Sequence, residues 1–291
     1  MLLKPIARVD DIDRADFQKL HLQTKTPVIL KSFVKDSPAL QKWNYDYFKQ
    51  IAGDYKVNLY GREDEFNDRA TSAPVMKSTF GEYLNMIAEG PAELRLFLFN
   101  LLQHNPELKK DLVYNDPTGG KIVSWLPYMF FGGEGSSVRY HYDIDMSHIF
   151  LTQFKGVKKV LLFSLEQSPL LYKLPFNFHG IANLNEPDSE KHPALQYLQG
   201  WECNLQPGET LYIPSGYWHY IKYVTEGYSV SLRMLNERPV ERLRGFNNIF
   251  LVRRFDNTMR RLFKDKWLDY KIRKAEENAN RAIELLKLQS A

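Results

Sequence analysis

The sequence predicts a mainly β protein with flanking helices: an antiparallel sandwich or barrel between a mixed α/β N-terminal part and a helical tail. Three observations carry this. Between about 121 and 235 the short runs IVSWL, VKKVLLF, TLYIP and YSVSLRML are separated by clusters of Gly, Pro, Asn and Asp, the punctuation of short antiparallel strands. Before that stretch, strand-like and helix-like segments are interleaved. Beyond 236 the strand signals stop, and the chain reads as helical through KAEENANRAIELLKLQ. The expected division is therefore 1–120, 121–235 and 236–291.

In the first part, residues 26–30 (TPVIL) read as a strand. Residues 38–52 read as a helix carrying Leu40, Trp43, Phe48 and Ile51, and Lys56–Tyr60 as a further strand. Ser78 or Thr79 would cap a helix whose apolar side is Tyr83, Leu84 and Ile87.

The composition, 44% hydrophobic and 25% charged over 291 residues, suffices for a sizeable core. The single cysteine, Cys203, excludes an internal disulfide and a cysteine-based zinc cage. The start, MLLKPIARVDD, turns acidic too soon for a secretion signal. No apolar run is long enough to span a bilayer, so the expectation is a cytoplasmic protein without a membrane partner. The formal net charge of +4 is mild. Much of the basic excess lies in 252–274, where nine Lys or Arg face three Asp. A basic patch for phosphate is one reading. The stronger one is an amphipathic helix, since Phe255, Met259, Leu262, Phe263 and Trp267 recur at helical spacing.

The chemistry sits in two segments. His141-Tyr142-Asp143 sets an imidazole and a carboxylate two residues apart, on one face of a strand. Some 78 residues further on, the unit GETLYIPSGYWH ends in His219. Two histidines and one carboxylate can occupy one face of an octahedron and leave three positions open, as in non-haem Fe(II) sites. His-x-Asp alone is weak evidence in a chain with seven histidines. The ordered series of His-x-Asp, a QFKGVKK strand entry, a Pro-Gly turn and Trp-His is much more specific.

With these segments, FFGGEGSSVRYHYD, QFKGVKKVLLF, NLNEPDSEKHPALQ and PGETLYIPSGYWHYI, the chain resembles the cupin-like JmjC oxygenases, and among them the asparaginyl hydroxylases. PVILKSF, KSTFGEYL and ELRLFLFN extend the resemblance over most of the chain. It implies a double-stranded β-helix (jelly-roll, cupin) core and a metal triad of His141, Asp143 and His219. It implies Fe(II), 2-oxoglutarate and O₂, with release of succinate and CO₂. It also implies hydroxylation of a protein or peptide side chain and a homodimer formed through the C-terminal helices. Demethylation, hydroxylation of a modified RNA base, or a non-catalytic cupin-like binding module are the alternatives.

Carried over by position, Lys158 would meet the distal carboxylate of 2-oxoglutarate, while Lys159 on the opposite face meets solvent. Val138 and Phe97 stand where the asparaginyl hydroxylases have helper hydroxyls, and Arg233 where they have an inward Asn. Alternation puts Ser229, Ser231 and Arg233 on one face, with Arg233 fourteen residues beyond His219. Ser231 and Arg233 are thus expected beside Lys158 at the co-substrate, where a bidentate Arg would replace the lost hydroxyls. The alternative for Arg233 is an ion pair with Asp or Glu near the mouth of the site. Arg139, Tyr140, Tyr142, Asp145 and Trp218 flank the ligands as a candidate substrate rim. The loop after the triad is longer than the family pattern, and His148 is expected as a second-layer or packed histidine rather than a fourth ligand.

Overall fold

The computed structural model describes residues 1–61, 73–96 and 99–290. The N-terminal part contributes strands β1 (Leu2–Pro5), β2 (Arg8–Val9), β3 (Val28–Leu30), β4 (Lys56–Tyr60), β5 (Met76–Thr79) and β6 (Arg95–Leu96). The core strands are β7 (Ile122–Gly132), β8 (Ser137–His141), β9 (His148–Lys155), β10 (Lys158–Phe163), β11 (Gln199–Leu205), β12 (Thr210–Ile213), β13 (Trp218–Tyr223) and β14 (Gly227–Met234). They form two sheets, ordered β1-β11-β10-β13-β8 and β2-β3-β12-β9-β14-β7-β6-β4-β5. Most steps between successive core strands cross from one sheet to the other, the winding of a double-stranded β-helix.

The sheets face one another without closing into a barrel. N-terminal strands take up edges that closure would need: β1 pairs with β11, β3 with β12 and β6 with β7. The N-terminal part is therefore hydrogen-bonded into both sheets as well as packed against them.

Strand alternation divides the side chains into layers. On β14, Tyr228, Val230, Leu232 and Met234 join Phe17, Phe48, Phe80 and Leu84 in a core between the large sheet and the N-terminal helices. On β10 and β13, Leu161, Phe163, Trp218 and Tyr220 pack outward against the 170–198 segment and the last helix. Between the sheets lie Ile29, Ile149, Leu151, Val160, Leu162 and Leu211, which fill part of the interior with aliphatic groups. The remaining interior positions are polar and form the site described below.

One helix differs from expectation and another matches it. Residues 38–52 form two short helices, Ala39–Lys42 and Tyr45–Ala52, because Trp43 is extended and the Asn44 side chain caps the second by accepting from Tyr47 N at 2.8 Å. The Phe80–Ala88 helix starts as expected, with Thr79 and Glu82 forming a reciprocal capping box.

The tail is helical from Pro239 to Phe263, with a π turn at Asn248–Val252, and again over Asp265–Ser290. Lys264, at φ 46°, separates the two. Of the amphipathic stripe expected in this tail, Phe255 reaches Phe176 at 5.0 Å between ring centroids and Trp267 is buried. The Trp267 ring stacks on Phe176 at 5.6 Å between centroids and donates to Asp256 at 2.8 Å. Phe255, Leu262 and Phe263 stay 45–66% exposed.

Gly132 ends β7 where a Cβ would fall 2.5 Å from the Tyr223 ring. Gly132→Ala should therefore displace that ring and cost about 1–3 kcal/mol of stability, measured by denaturant unfolding. Unchanged stability would show that Tyr223 has room to move.

Candidate metal centre

Antiparallel pairing sets His219 of β13 directly opposite His141 of β8. Opposed residues share a face with Cβ atoms about 5 Å apart, so the two imidazoles converge at 4.3 Å between ring centroids. Asp143 follows where β8 has just ended, and its Oδ1 lies 3.8 Å from His141 Nε2. Ligand atoms of His141, Asp143 and His219 all fall within 4.8 Å of one another.

The backbone fixes how each ring points. His141 Nδ1 lies 2.8 Å from Arg139 O, and His219 Nδ1 lies 3.2 Å from Tyr217 O. A carbonyl only accepts, so both Nδ1 atoms carry the proton and both Nε2 lone pairs are left for a metal. Burial and the neighbouring His141 push His219 down to about 4, so its ring is neutral at pH 7. For Asp143, burial is the largest influence and acts upward. Arg233, His219 and His141 outweigh it, so the carboxyl lies below its ordinary value. Two imidazole nitrogens and one carboxylate, oriented in advance, suit a divalent transition metal.

Further into the sandwich lies a buried cation. Lys158 is 2% exposed, while Lys159 points outward to Glu202. Lys158 Nζ donates to Ser229 Oγ and sits 4.4 Å from the centre of the Tyr223 ring. Among the described residues no carboxylate lies within ion-pair distance of it, and burial pushes it down to about 7. Beside it on the large sheet, Gln153 pairs in register with Ser229, and its Oε1 is buried without a hydrogen-bond partner among the described residues. An uncompensated buried cation is costly and fits a site for an anion. Ser231 lies on the same face of β14, between Ser229 and Arg233, and is 7% exposed. Val138 pairs with Ile221 and faces the interior as expected. Phe97 lies outside the described residues.

Arg233 is not beside Lys158. Its Nη1 is 2.6 Å from Asp143 Oδ2 and 3.0 Å from Asp145 Oδ1, the acidic pairing that was the alternative reading. The expected co-substrate contact fails because Ser229 to Arg233 spans four residues, roughly 13 Å of strand, which puts Arg233 at the metal end. Asp145 is accordingly a partner of Arg233 and Ser147 rather than a rim residue.

Tyr140, Tyr142 and Trp218 are not rim residues either. They alternate with the ligands and so point away from them, into the outer core, at 1%, 7% and 0% exposure. Tyr140 Oη donates to Leu171 O, and Trp218 Nε1 donates to Ser168 Oγ. Of the expected rim, Arg139 is half-buried on β8, two residues before His141. It lies where β8 bulges between its pairings of Val138 with Ile221 and of His141 with His219.

His148 is packed, not in the layer around the metal. It shares the outer face of β9 with Phe150, stacks on Tyr212 and accepts from Ser215 N at 3.1 Å. In sequence Ser229 was placed on the face of Ser231 and Arg233 without a role, and Tyr223 and Gln153 were passed over. The signal was the period of two, which puts Tyr223 on the face of His219 and Gln153 on that of Leu151.

Among the described residues no helix is long and apolar enough to cross a membrane. A family model described as a cupin-like domain matches residues 14–234. Lysine-specific demethylase 8 of Xenopus tropicalis is 28% identical over 232 residues, which cover 74% of this chain and 49% of that protein. Jumonji C domain-containing protein 5 of Drosophila melanogaster is 28% identical over 258 residues, 79% of this chain and 62% of that one. Human tRNA wybutosine-synthesizing protein 5 is 24% identical over 253 residues, 79% and 77% of the two chains. The chain thus spans about half the length of the frog relative. With the two-sheet core, the converging triad and a match across both, this chain belongs to the cupin-like domain family.

Proposed function

We propose that the protein is an Fe(II)- and 2-oxoglutarate-dependent oxygenase that hydroxylates a side chain of a protein or peptide. The observation that carries this is one interior polar strip with a metal-binding triad at one end and an uncompensated buried lysine at the other. An α-keto diacid has that same polarity, with a chelating end and a distal carboxylate. Bound there, iron with oxoglutarate and O₂ supplies an oxidant that inserts oxygen into a C–H bond and releases succinate and CO₂.

His141, Asp143 and His219 hold the metal, and the neutral His219 ring and the lowered Asp143 carboxyl need lose no proton near pH 7 to do so. Lys158 pairs with the distal carboxylate, Ser229 orients the ammonium, and Ser231 lines the strip between them. The aliphatic layer of Ile149, Leu151, Val160 and Leu162 keeps water from the far side. Arg139 at the β8 bulge would meet the substrate.

A second reading, an RNA substrate, has its own support. Arg253, Arg254, Arg261, Lys264 and Lys266 are exposed on the tail whose earlier turns touch the Asp143 loop, Asn248 Nδ2 donating to Ile144 O at 3.1 Å. Binding of tRNA that falls steeply with salt, together with oxoglutarate consumption driven by it, would favour RNA over peptide.

The protein incubated with Fe(II), 2-oxoglutarate, O₂ and ascorbate should release succinate slowly without substrate. His141→Ala should abolish this and metal binding while the fold persists. Retained turnover in His141→Ala would sink the reading.

The anion needs the protonated form of Lys158, whose pKa in the free protein is pushed down to about 7. Oxoglutarate affinity, measured by calorimetry with Mn(II) in the absence of O₂, should therefore weaken by up to about tenfold per pH unit above 7. Lys158→Ala should lose roughly 2–5 kcal/mol of binding and show no such slope. A flat profile in the parent protein would put the carboxylate elsewhere.

The exposed face of Val240, Leu243, Phe246, Phe250 and Leu251 favours a homodimer through the tail, since such patches mark interfaces. Light scattering should give twice the chain mass at micromolar concentration. A stable, active monomer would count against it.

A further inference from the structure

We infer that Arg233, backed by Asp145, is a positioning residue that locks Asp143 into offering a single oxygen to the metal. This rests on the metal-centre reading above. The two oxygens of Asp143 have separate jobs: Oδ1 is the one 3.8 Å from His141 Nε2, and Oδ2 is 2.6 Å from Arg233 Nη1. The same Nη1 donates to both oxygens of Asp145, at 3.0 and 3.1 Å. One guanidinium nitrogen thus bridges two carboxylates.

Asp145 is itself fixed, accepting from Ser147 N at 3.2 Å and Ser147 Oγ at 2.9 Å. The loop that carries both aspartates is pinned from outside as well. Ser215 Oγ donates to Met146 O at 2.6 Å, and Asn248 Nδ2 donates to Ile144 O at 3.1 Å. Gly245 approaches so closely that a Cβ there would lie 2.4 Å from Asp145 O.

Two consequences follow from charge and geometry. With Oδ2 engaged by Arg233, Asp143 cannot chelate through both oxygens, so a position stays open for a co-substrate. A lone arginine beside Asp143 would neutralise the ligand and oppose a dication. Asp145 restores one net negative charge to the three-residue group, so Arg233 can orient Asp143 without cancelling it.

The sign of the effect separates positioning from simple proximity. Removing a nearby cation should, by electrostatics alone, tighten metal binding. Loss of a group that orients a ligand should loosen it, typically by 10–100-fold. The full-length protein is titrated with Co(II), following both affinity and the visible ligand-field spectrum.

Arg233→Ala is expected to bind Co(II) 10–100-fold more weakly with an altered spectrum, as Asp143 turns to bind through both oxygens. Arg233→Lys, which returns a single cationic nitrogen, should recover part of the affinity and the parent spectrum. Asp145→Asn should weaken binding with less change in the spectrum. Thermal unfolding of each variant checks that it is folded. Should Arg233→Ala not fold, the Lys and Asn variants carry the comparison. Affinity in a folded Arg233→Ala or Arg233→Lys that equals or exceeds the parent, with an unchanged spectrum, overturns the positioning role alone. Failure of the parent itself to bind Co(II) in a His141-dependent way overturns the metal-centre reading with it.

Discussion

The centre of this protein depends on one strand pairing, that of β13 with β8, which sets His219 across from His141. A slip of one residue in that register would send one imidazole into the outer core and bring Trp218 or Tyr140 inward. What holds the register is the outer face. Tyr140, Trp218, Leu161 and Phe163 are buried there among the 170–198 segment and the last helix. Tyr140 is further tied by hydrogen bonds to Leu171 O and Ala182 N, at 2.7 and 3.1 Å. The residues taken from sequence as a substrate rim thus act as the ballast that keeps the ligands aligned.

The second constraint is electrostatic. Between the sheets, Lys158 of β10 and Arg233 of β14 stand apart and are treated differently. Arg233 is compensated by two aspartates, while Lys158 has only a hydroxyl and an aromatic face. The uncompensated one is the more costly to bury, and the cost is recovered when an anion enters. Lys158 and Arg233 do not face one another, because the acidic loop has taken Arg233 away.

Much of this was legible from the residues. Period two in β10 separates buried Lys158 from exposed Lys159, and the His-x-Asp and Trp-His units gave the triad. The same rule applied to β8 and β13 would have removed Tyr140, Tyr142 and Trp218 from the rim, since each alternates with a ligand. Other features were out of reach because they depend on contacts distant in sequence. The acidic pairing of Arg233 was legible as an alternative, but its partners were not, since Asp143 lies 90 residues away in the chain. The helix expected over 38–52 breaks at Asn44, whose side chain serves better as a cap than in a helix interior. The tail's stripe has the right spacing for packing, but spacing does not say whether a neighbour is there to receive it.

In the proposed reading one interior strip binds a metal at the triad and an α-keto diacid between that metal and Lys158. Anomalous diffraction from crystals grown with Mn(II) and 2-oxoglutarate without O₂ tests this directly. A single interior Mn peak coordinated by His141, Asp143 and His219 is expected, with ligand density running from it to the ammonium of Lys158. Metal at other residues, or a distal carboxylate paired with a cation other than Lys158, would contradict it.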